Sequence, residues 1–110
     1  MKTTRDVSTA QEKKIAKSLG ARRVANSGAT KFNKGDLTIG EKWLIEAKTC
    51  MESKKSFAIK KEWLEKLKEE MYAMGKDYRA LCFDFGDEKD RYYILNEDMF
   101  KYVVELLNKE

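Results

Sequence analysis

The segment GDLTIGEKWLIEAKT, residues 35–49, places charged residues in a run that otherwise has the pattern of a buried hairpin. Asp36 stands near its start, and Glu46 and Lys48 interrupt its second apolar stretch. Because side chains alternate along a strand, Glu46 and Lys48 are predicted to project from the same face. A carboxylate and an ammonium at that spacing form either a desolvated ion pair or a functional site.

These residues offer the groups that phosphodiester hydrolysis demands. The reaction needs a divalent cation that neutralises developing charge, a water activated near that cation and a cationic group beside the phosphate. Carboxylates such as Asp36 and Glu46 hold such a cation, and a lysine one strand step beyond them reaches both the water and the phosphate. Asp36, residues 37–45 and then Glu46-Ala47-Lys48 supply that set.

The first half of the chain is predicted to form one helix and three strands. Thr9 and Glu12 have the spacing of a capping box, which predicts a helix over about residues 9–19. ARRVAN follows as a short strand, and a polar loop leads to two hairpin strands, over about 35–39 and 42–48.

The second half is predicted to add a helix, two strands and a last helix. The apolar spacing of Trp63, Leu67, Met71 and Met74 predicts an amphipathic helix over about 60–74. YRALCFDF and RYYILN are predicted strands, and Asn96 is the expected cap of a final helix. The order αβββαββα predicts an α/β fold with a mixed sheet flanked by helices, in a single domain spanning 1–110.

Composition excludes several kinds of chemistry. The chain has 110 residues, no histidine and two distant cysteines, Cys50 and Cys82. His-based acid–base catalysis, Ser-His-Asp triads and most zinc sites are therefore excluded, which leaves carboxylates, lysines and hard metal ions. No apolar run reaches the roughly 20 residues of a membrane helix, and MKTTRDVSTA lacks the apolar stretch of a signal peptide. We therefore expect a cytoplasmic protein without a membrane partner.

Positive charge is gathered in places that would suit a polyanion. The net charge is +4, and basic residues cluster along the chain. Lys60 and Lys61 stand at a predicted helix start, where the macrodipole disfavours cations, so this pair favours anion capture. Ser27, Lys31 and Lys34 lie in a polar loop that is either a phosphate contact or an ordinary loop.

The pattern D-x9-E-x-K resembles that of the PD-(D/E)xK nuclease superfamily, with Gly35 where the superfamily's name has proline. A short α-β-β-β start, Glu12 in the first helix, Ser27-Gly28 in a loop and then Gly35-Asp36 are similar to the Holliday-junction-resolvase branch, which includes archaeal resolvases and phage-encoded relatives. The similarity covers residues 9–49 and is topological only over 57–85.

This resemblance implies a restriction-endonuclease-like core and Mg²⁺-dependent cleavage of branched DNA that leaves 5′-phosphate and 3′-hydroxyl ends, and we expect Mn²⁺ to substitute for Mg²⁺. It implies that Asp36, Glu46 and the Ala47 carbonyl bind the metal, with Glu12 completing the site directly or through water. Lys48 would orient the attacking water and stabilise the phosphate. If the chain is phage-encoded, the cytoplasm is that of the host.

Other interpretations of the same residues remain open. Glu12 is also the second half of the Thr9 capping box, Asp36 is also a turn residue, and Glu46 with Lys48 is also a structural cross-strand ion pair. A non-catalytic nucleic-acid-binding module on the same fold would share the basic surface. A nuclease of the superfamily that acts on unbranched DNA would share the whole metal site.

The hairpin turn provides a test within the sequence. If Gly40-Glu41 is a two-residue turn, Asp36 falls opposite Ile45 and points away from Glu46. A three-residue loop over 40–42, or a bulge, instead places Asp36 opposite Glu46. The functional interpretation therefore predicts the longer loop or an equivalent irregularity.

The last helix is predicted to take part in self-association. Its apolar residues wrap most of the way round it, whereas a helix that lies on one core needs a single stripe. RYYILN adds Tyr92 and Tyr93, aromatic residues of the kind enriched in interfaces. Symmetric cutting needs two sites, so we expect a homodimer whose interface includes the last helix or the Tyr92–Leu95 strand.

Overall fold

The computed structural model describes residues 4–24, 36–50, 52–86 and 90–109. The described residues form an α/β fold in the predicted order αβββαββα, which is therefore confirmed. The elements are α1 (Thr4–Leu19), β1 (Arg22–Arg23), β2 (Asp36–Ile39), β3 (Trp43–Lys48), α2 (Lys61–Ala73), β4 (Tyr78–Phe83), β5 (Tyr92–Ile94) and α3 (Glu97–Asn108). None of these helices combines the length and the apolar character that crossing a bilayer requires.

Helix α1 is longer than its capping signature predicted. It begins at Thr4, so Thr9 and Glu12 lie inside the helix and the capping-box interpretation of Glu12 is wrong. Residues 4–8 contain neither glycine nor proline, and extending an existing helix costs much less than starting one. A capping signature inside such a segment therefore does not stop the helix from extending in the N-terminal direction.

The five strands form one mixed sheet in the order β1-β2-β3-β4-β5. Strands β3 and β4 pair in parallel, and the other neighbouring pairs are antiparallel. A parallel pair needs a crossover, and helix α2 provides it between β3 and β4. The predicted mixed sheet is confirmed, and its parallel pair lies at the centre.

The two faces of the sheet carry separate apolar clusters. On one face, Ile15 of α1 packs with Leu37, Ile45 and Cys82. On the other face, Leu67 and Met71 of α2 pack with Leu44 and Leu81, and Trp63 lies against this cluster. Alternation along β3 puts Glu46 and Lys48 on the same side as Leu44, which is the side of α2.

The hairpin between β2 and β3 has the longer of the two loops considered. Residues 40–42 form the turn, Gly40 adopts φ 58°, and Ile39 pairs with Trp43. The register then pairs Asp36 with Glu46. This is the arrangement that the functional interpretation predicted, and it starts β3 at Trp43 instead of residue 42.

Several predicted ends differ from the observed ones. Helix α2 ends at Ala73, so Met74 lies outside it and is exposed. Gly75, with φ 67°, follows as the left-handed residue that commonly ends a helix. Asn96 holds the predicted N-cap position of α3, but its side chain makes no capping hydrogen bond.

Candidate active site

The hairpin register brings the two carboxylate-bearing positions of the motif together. Asp36 is the first residue of β2, and its Cα partner in β3 is Glu46. Directly opposed residues of an antiparallel pair are about 4.5–5.5 Å apart at Cβ. The backbone of Asp36 is described, whereas its side chain lies outside the described structure.

Glu46 and Lys48 form an ion pair within β3. Lys48 Nζ lies 3.4 Å from Glu46 Oε1, and the exposed fractions of the two side chains are 31% and 14%. Glu46 and Lys48 therefore pair within one strand, whereas the structural alternative expected an ion pair between two strands. Both groups keep some access to solvent, so their partial burial strengthens the attraction without fully removing their hydration.

Trp63 holds the Lys48 ammonium from the side of α2. Lys48 Nζ lies 4.7 Å from the centroid of the Trp63 ring, within the range of a cation–π contact. Lys60 Nζ lies 5.7 Å from the same centroid. Two cations thus meet at one indole ring beside the candidate site. Trp63 also packs against the apolar cluster beneath α2.

The two lysines at the start of α2 have different surroundings. Lys60 is the N-cap residue, and its side chain turns toward Trp63. Lys61 is the first helical residue, and its ammonium lies 3.7 Å from Glu65 Oε1 in an exposed pair one turn along the helix. Exposed pairs of this kind contribute little to stability. Lys60 is therefore the one of the two that extends the basic group around Lys48.

Glu12 is held by a different partner from the one the resemblance implies. Its carboxylate Oε1 accepts a hydrogen bond from Arg23 Nε at 3.0 Å, and Glu12 is buried while Arg23 is exposed. The contact joins α1 to β1. Neighbouring Ile15 packs on the opposite face of the sheet from α2. Arg23 therefore occupies one oxygen of Glu12, and the expected role of Glu12 as a metal ligand stays a prediction.

Three polar residues outside the D-x9-E-x-K pattern form hydrogen bonds next to the backbone of Lys48. Asp84 follows β4 and is 1% exposed, and Gln11 of α1 is 3% exposed. Gln11 Nε2 donates to Asp84 Oδ2 at 3.1 Å and to the carbonyl oxygen of Lys48 at 2.6 Å. Thr49 Oγ1 donates to Asp84 Oδ1 at 2.7 Å. The signal in the sequence was an aspartate directly after the apolar run ALCF, since a carboxyl group at the end of a buried strand needs hydrogen-bond donors.

The cysteines are poorly suited to nucleophilic chemistry. Burial raises the pKa of the Cys82 thiol to about 11 and also raises the pKa of Cys50. The thiolate is the reactive form, so a raised pKa keeps both groups in the unreactive form near neutral pH. Tyr93 lies opposite Cys82 in the β4–β5 ladder, and burial raises its pKa to about 12.

The remaining predicted contacts cannot be compared with the structure. Ser27, Lys31 and Lys34 lie outside the described residues, as do Gly28 and Gly35. Their assignment as DNA contacts stays a prediction.

The candidate metal ligands are oxygen atoms of Asp36, Glu46 and Ala47. Among the described side chains, no three of the histidine, cysteine and acidic types form a group that could hold a metal ion. Glu46 supplies one partly exposed carboxylate. The Asp36 backbone stands across from it, and the Ala47 carbonyl follows in β3. Carboxylate and carbonyl oxygens are the hard ligands that Mg²⁺ prefers, so the residue types fit this ion.

No protein-family model, curated protein or solved structure matches this chain.

Proposed function

We propose that this protein is a metal-dependent DNA endonuclease with a restriction-endonuclease-like core, which resolves Holliday junctions or other branched DNA. The observation that carries the proposal is the hairpin register, which pairs Asp36 with Glu46. Lys48 lies one strand step beyond, with its ammonium 3.4 Å from Glu46 Oε1. A structural ion pair would not require Asp36 at that position, whereas a shared cation would.

The roles of the residues follow from their positions. Asp36, Glu46 and the Ala47 carbonyl would hold Mg²⁺ or Mn²⁺, and Glu12 would contribute through water, since Arg23 already holds its Oε1. When bound, the ion activates a water and offsets charge on the phosphate. Lys48 orients that water and donates to the phosphate oxygens as charge develops on them. Trp63 keeps the Lys48 ammonium beside the strand.

DNA would approach along the face that carries α2. Lys60 and the free backbone N–H groups at the start of α2 would bind a phosphate next to the one being cut. Lys61 lies farther out, paired with Glu65, and would contribute less. In our proposal Ser27, Lys31 and Lys34, which lie outside the described residues, contact the DNA backbone. We propose a cytoplasmic location, which is the cytoplasm of the host if the chain is phage-encoded.

We further propose that the protein works as a homodimer. Phe100, Val104 and Leu107, here called the α3 stripe, are spaced along one side of α3 with exposed fractions of 57%, 37% and 70%. Met99 is buried and Tyr102 stacks on Tyr78, so another side of α3 makes the contacts with the domain. A second copy of the chain would cover the stripe and present two sites to one junction.

Metal-dependent cleavage tests the function. A four-way junction, a linear duplex of the same sequence and supercoiled plasmid are each incubated with Mg²⁺, with Mn²⁺ and with EDTA. We expect the junction to be cut with either metal and not with EDTA. Glu46→Gln and Lys48→Ala should each lower the cleavage rate by about 1,000-fold, the upper range for removing one electrostatic contact to a transition state. Junction binding should stay within a few-fold of wild type.

Glu65→Gln is the matched control, because Glu65 is also an acidic partner of a lysine but lies exposed on α2. It should leave the cleavage rate unchanged. Equal cutting of junction and linear duplex would replace the junction-specific proposal with a nuclease for unbranched DNA. Tight junction binding without cleavage under any metal condition would instead identify a non-catalytic binding module.

A further inference from the structure

A cluster of hydrogen-bonded polar side chains contacts the backbone of Lys48, the residue that orients the water in the proposed function. The cluster consists of Gln11, Thr49 and Asp84. Strands β3 and β4 run in parallel with Lys48 opposite Phe83, so Thr49 and Asp84 follow side by side at the ends of the two strands. Asp84 Oδ1 accepts from Thr49 Oγ1 at 2.7 Å and from the Gly86 N–H at 2.9 Å. Gln11 approaches from α1 and donates to Asp84 Oδ2 at 3.1 Å.

The amide of Gln11 makes a second contact, which reaches Lys48 itself. Gln11 Nε2 also donates to the Lys48 carbonyl oxygen, at 2.6 Å. Both acceptors are oxygens, which fixes the orientation of the amide, since the opposite orientation would face oxygen against oxygen. One NH₂ group therefore joins the last backbone carbonyl of β3 to the carboxyl group that ends β4.

The other atom of the same amide indicates what Gln11 is for. Within the described structure, Gln11 Oε1 is buried and has no hydrogen-bond partner. A buried acceptor without a partner loses its hydration without compensation and destabilises the folded state. An apolar side chain of similar length would avoid this cost if the position served packing alone. The retained amide is therefore explained by its two donated bonds.

The Lys48 side chain leaves the sheet on the face opposite to this anchor. Its ammonium is held at Glu46 Oε1 and over the Trp63 ring, on the side of α2. Gln11 comes from α1, whose neighbouring residues pack on the other face. The backbone of Lys48 is thus fixed from one side of the sheet while its ammonium acts on the other.

We infer that Gln11, oriented by Asp84, is a positioning residue that sets the place of the Lys48 ammonium through the Lys48 carbonyl. The inference rests on the proposed function for its catalytic consequence, but the positioning itself is measurable without any cleavage. Lys48 is the last residue of β3, where the ladder no longer restrains the chain that follows. Release of its carbonyl would let the end of the strand shift and move the ammonium away from Trp63.

Nuclear magnetic resonance reports this position directly. The Lys48 ε-methylene lies near the Trp63 ring, so its proton signals should be displaced by the ring current. Lys48→Ala identifies the signal by its disappearance, and Trp63→Leu gives the position without a ring. In Gln11→Met we expect the Lys48 signal to move most of the way to its Trp63→Leu position. An unchanged Lys48 signal in folded Gln11→Met would overturn the inference.

Thr49→Val is the matched control within the same group. It removes one donor from Asp84 but leaves both contacts of Gln11, so the Lys48 signal should stay displaced. If Gln11→Met does not fold, Asp84→Asn provides the second test. Its amide NH₂ would face Gln11 and make Gln11 turn its oxygen inward, which takes Nε2 away from the Lys48 carbonyl. The Lys48 signal should then move as in Gln11→Met, and an unmoved signal would again overturn the inference.

The kinetic consequence is a loss in kcat without a matching change in KM. Displacing a reacting group by about 1 Å costs up to about 100-fold in rate, so Gln11→Met should lower kcat about 10- to 100-fold and leave KM within about twofold. If the Lys48 signal moves in Gln11→Met but the wild-type protein does not cut DNA, the result would support the positioning role and reject the nuclease. A moved signal with unchanged kcat in an active enzyme would overturn the catalytic part of the inference.

Discussion

The end of the β3–β4 pair and the side of the molecule formed by α3 depart from ordinary globular structure in opposite ways. At the first, polar groups are buried: Asp84 and Gln11 are almost fully covered, and Glu46 is partly buried. At the second, the apolar side chains of the α3 stripe are exposed. Buried polar groups and exposed apolar patches are the two informative exceptions to the usual distribution.

The two regions differ in whether their unusual groups have partners within the described chain. Asp84 has its hydrogen-bond partners within the chain, so its carboxyl group can hold a side chain at a defined place. The α3 stripe has apolar area without an equivalent cover among the described residues. We therefore assign the proposed cleavage to the first region and the proposed self-association to the second, and each assignment can be tested separately.

The largest expected effect comes from Gly86, which closes the first region. Gly86 adopts φ 90°, and a Cβ there would lie 2.4 Å from the Glu52 carbonyl oxygen. Its N–H also donates to Asp84. Gly86→Ala should therefore lower the free energy of unfolding by about 3 kcal/mol, measured by urea denaturation. Gly75→Ala is the control: it has φ 67° but open space, so it should cost only about 1 kcal/mol. Equal losses would show that the close approach at Gly86 does not matter.

The second effect tests the β4–β5 strand pair, in which Cys82 lies opposite Tyr93. Burial raises the pKa of the Cys82 thiol from 9.0 to about 11. The folded state thus keeps a proton that the unfolded state has lost, so stability is fully present below about pH 9 and falls as pH rises toward 11. At about pH 10.5 the loss from Cys82 should be about 2 kcal/mol.

Cys82→Ser isolates this contribution, because a hydroxyl does not titrate in that range. Between about pH 8 and 10 the variant should lose less stability than wild type in urea denaturation. Above about pH 10, Tyr93, whose pKa is raised from 10.0 to about 12 by burial and in part by Cys82, adds a loss of its own. Parallel pH profiles of the two proteins would contradict the raised pKa of Cys82.

The third effect concerns the α3 stripe. Leu107→Lys puts a charge on its most exposed member and should weaken self-association at least about tenfold. Light scattering at micromolar concentration should show twice the 12.8 kDa monomer mass for wild type and a lower mass for the variant. Lys101→Gln changes an exposed residue of the same helix and should leave the mass unchanged. A monomeric wild type, unchanged by junction DNA, would contradict the dimer.

The smallest effect separates two neighbouring lysines. Lys60→Ala should reduce the slope of log affinity against log salt by about 0.9, the value of one phosphate contact. Lys61→Ala should change it by less than half as much, because Lys61 is paired with Glu65. Fluorescence anisotropy with a labelled junction in EDTA measures both without cleavage. Equal slopes for the two variants would remove the distinction that the Trp63 contact implies.

Much of the secondary structure was predictable, since it depends on neighbours along the chain. The period of two in WLIEAK placed Glu46 and Lys48 on one face, and their ion pair is observed. The spacing of Trp63, Leu67 and Met71 placed α2 on the sheet. The start of α1 was not predictable in this way, because a capping signature does not show whether the residues before it are also helical.

The amino-acid sequence by itself therefore determined the order of elements, the two faces of β3 and the residue types available for chemistry. These follow from side-chain alternation, helical period and composition, which are local or additive properties. Tertiary structure decided the three-residue hairpin loop that sets Asp36 across from Glu46, since Gly40-Glu41-Lys42 is compatible with either register.

Tertiary structure also decided which partner each charged or polar group found. Glu12 pairs with Arg23, Lys48 lies over Trp63, and Gln11 donates to Asp84 at a separation of 73 residues along the chain. Such contacts arise when packed helices and strands bring distant positions together, and their energies depend on the burial that packing creates. Spacing along the chain carries no information about either quantity.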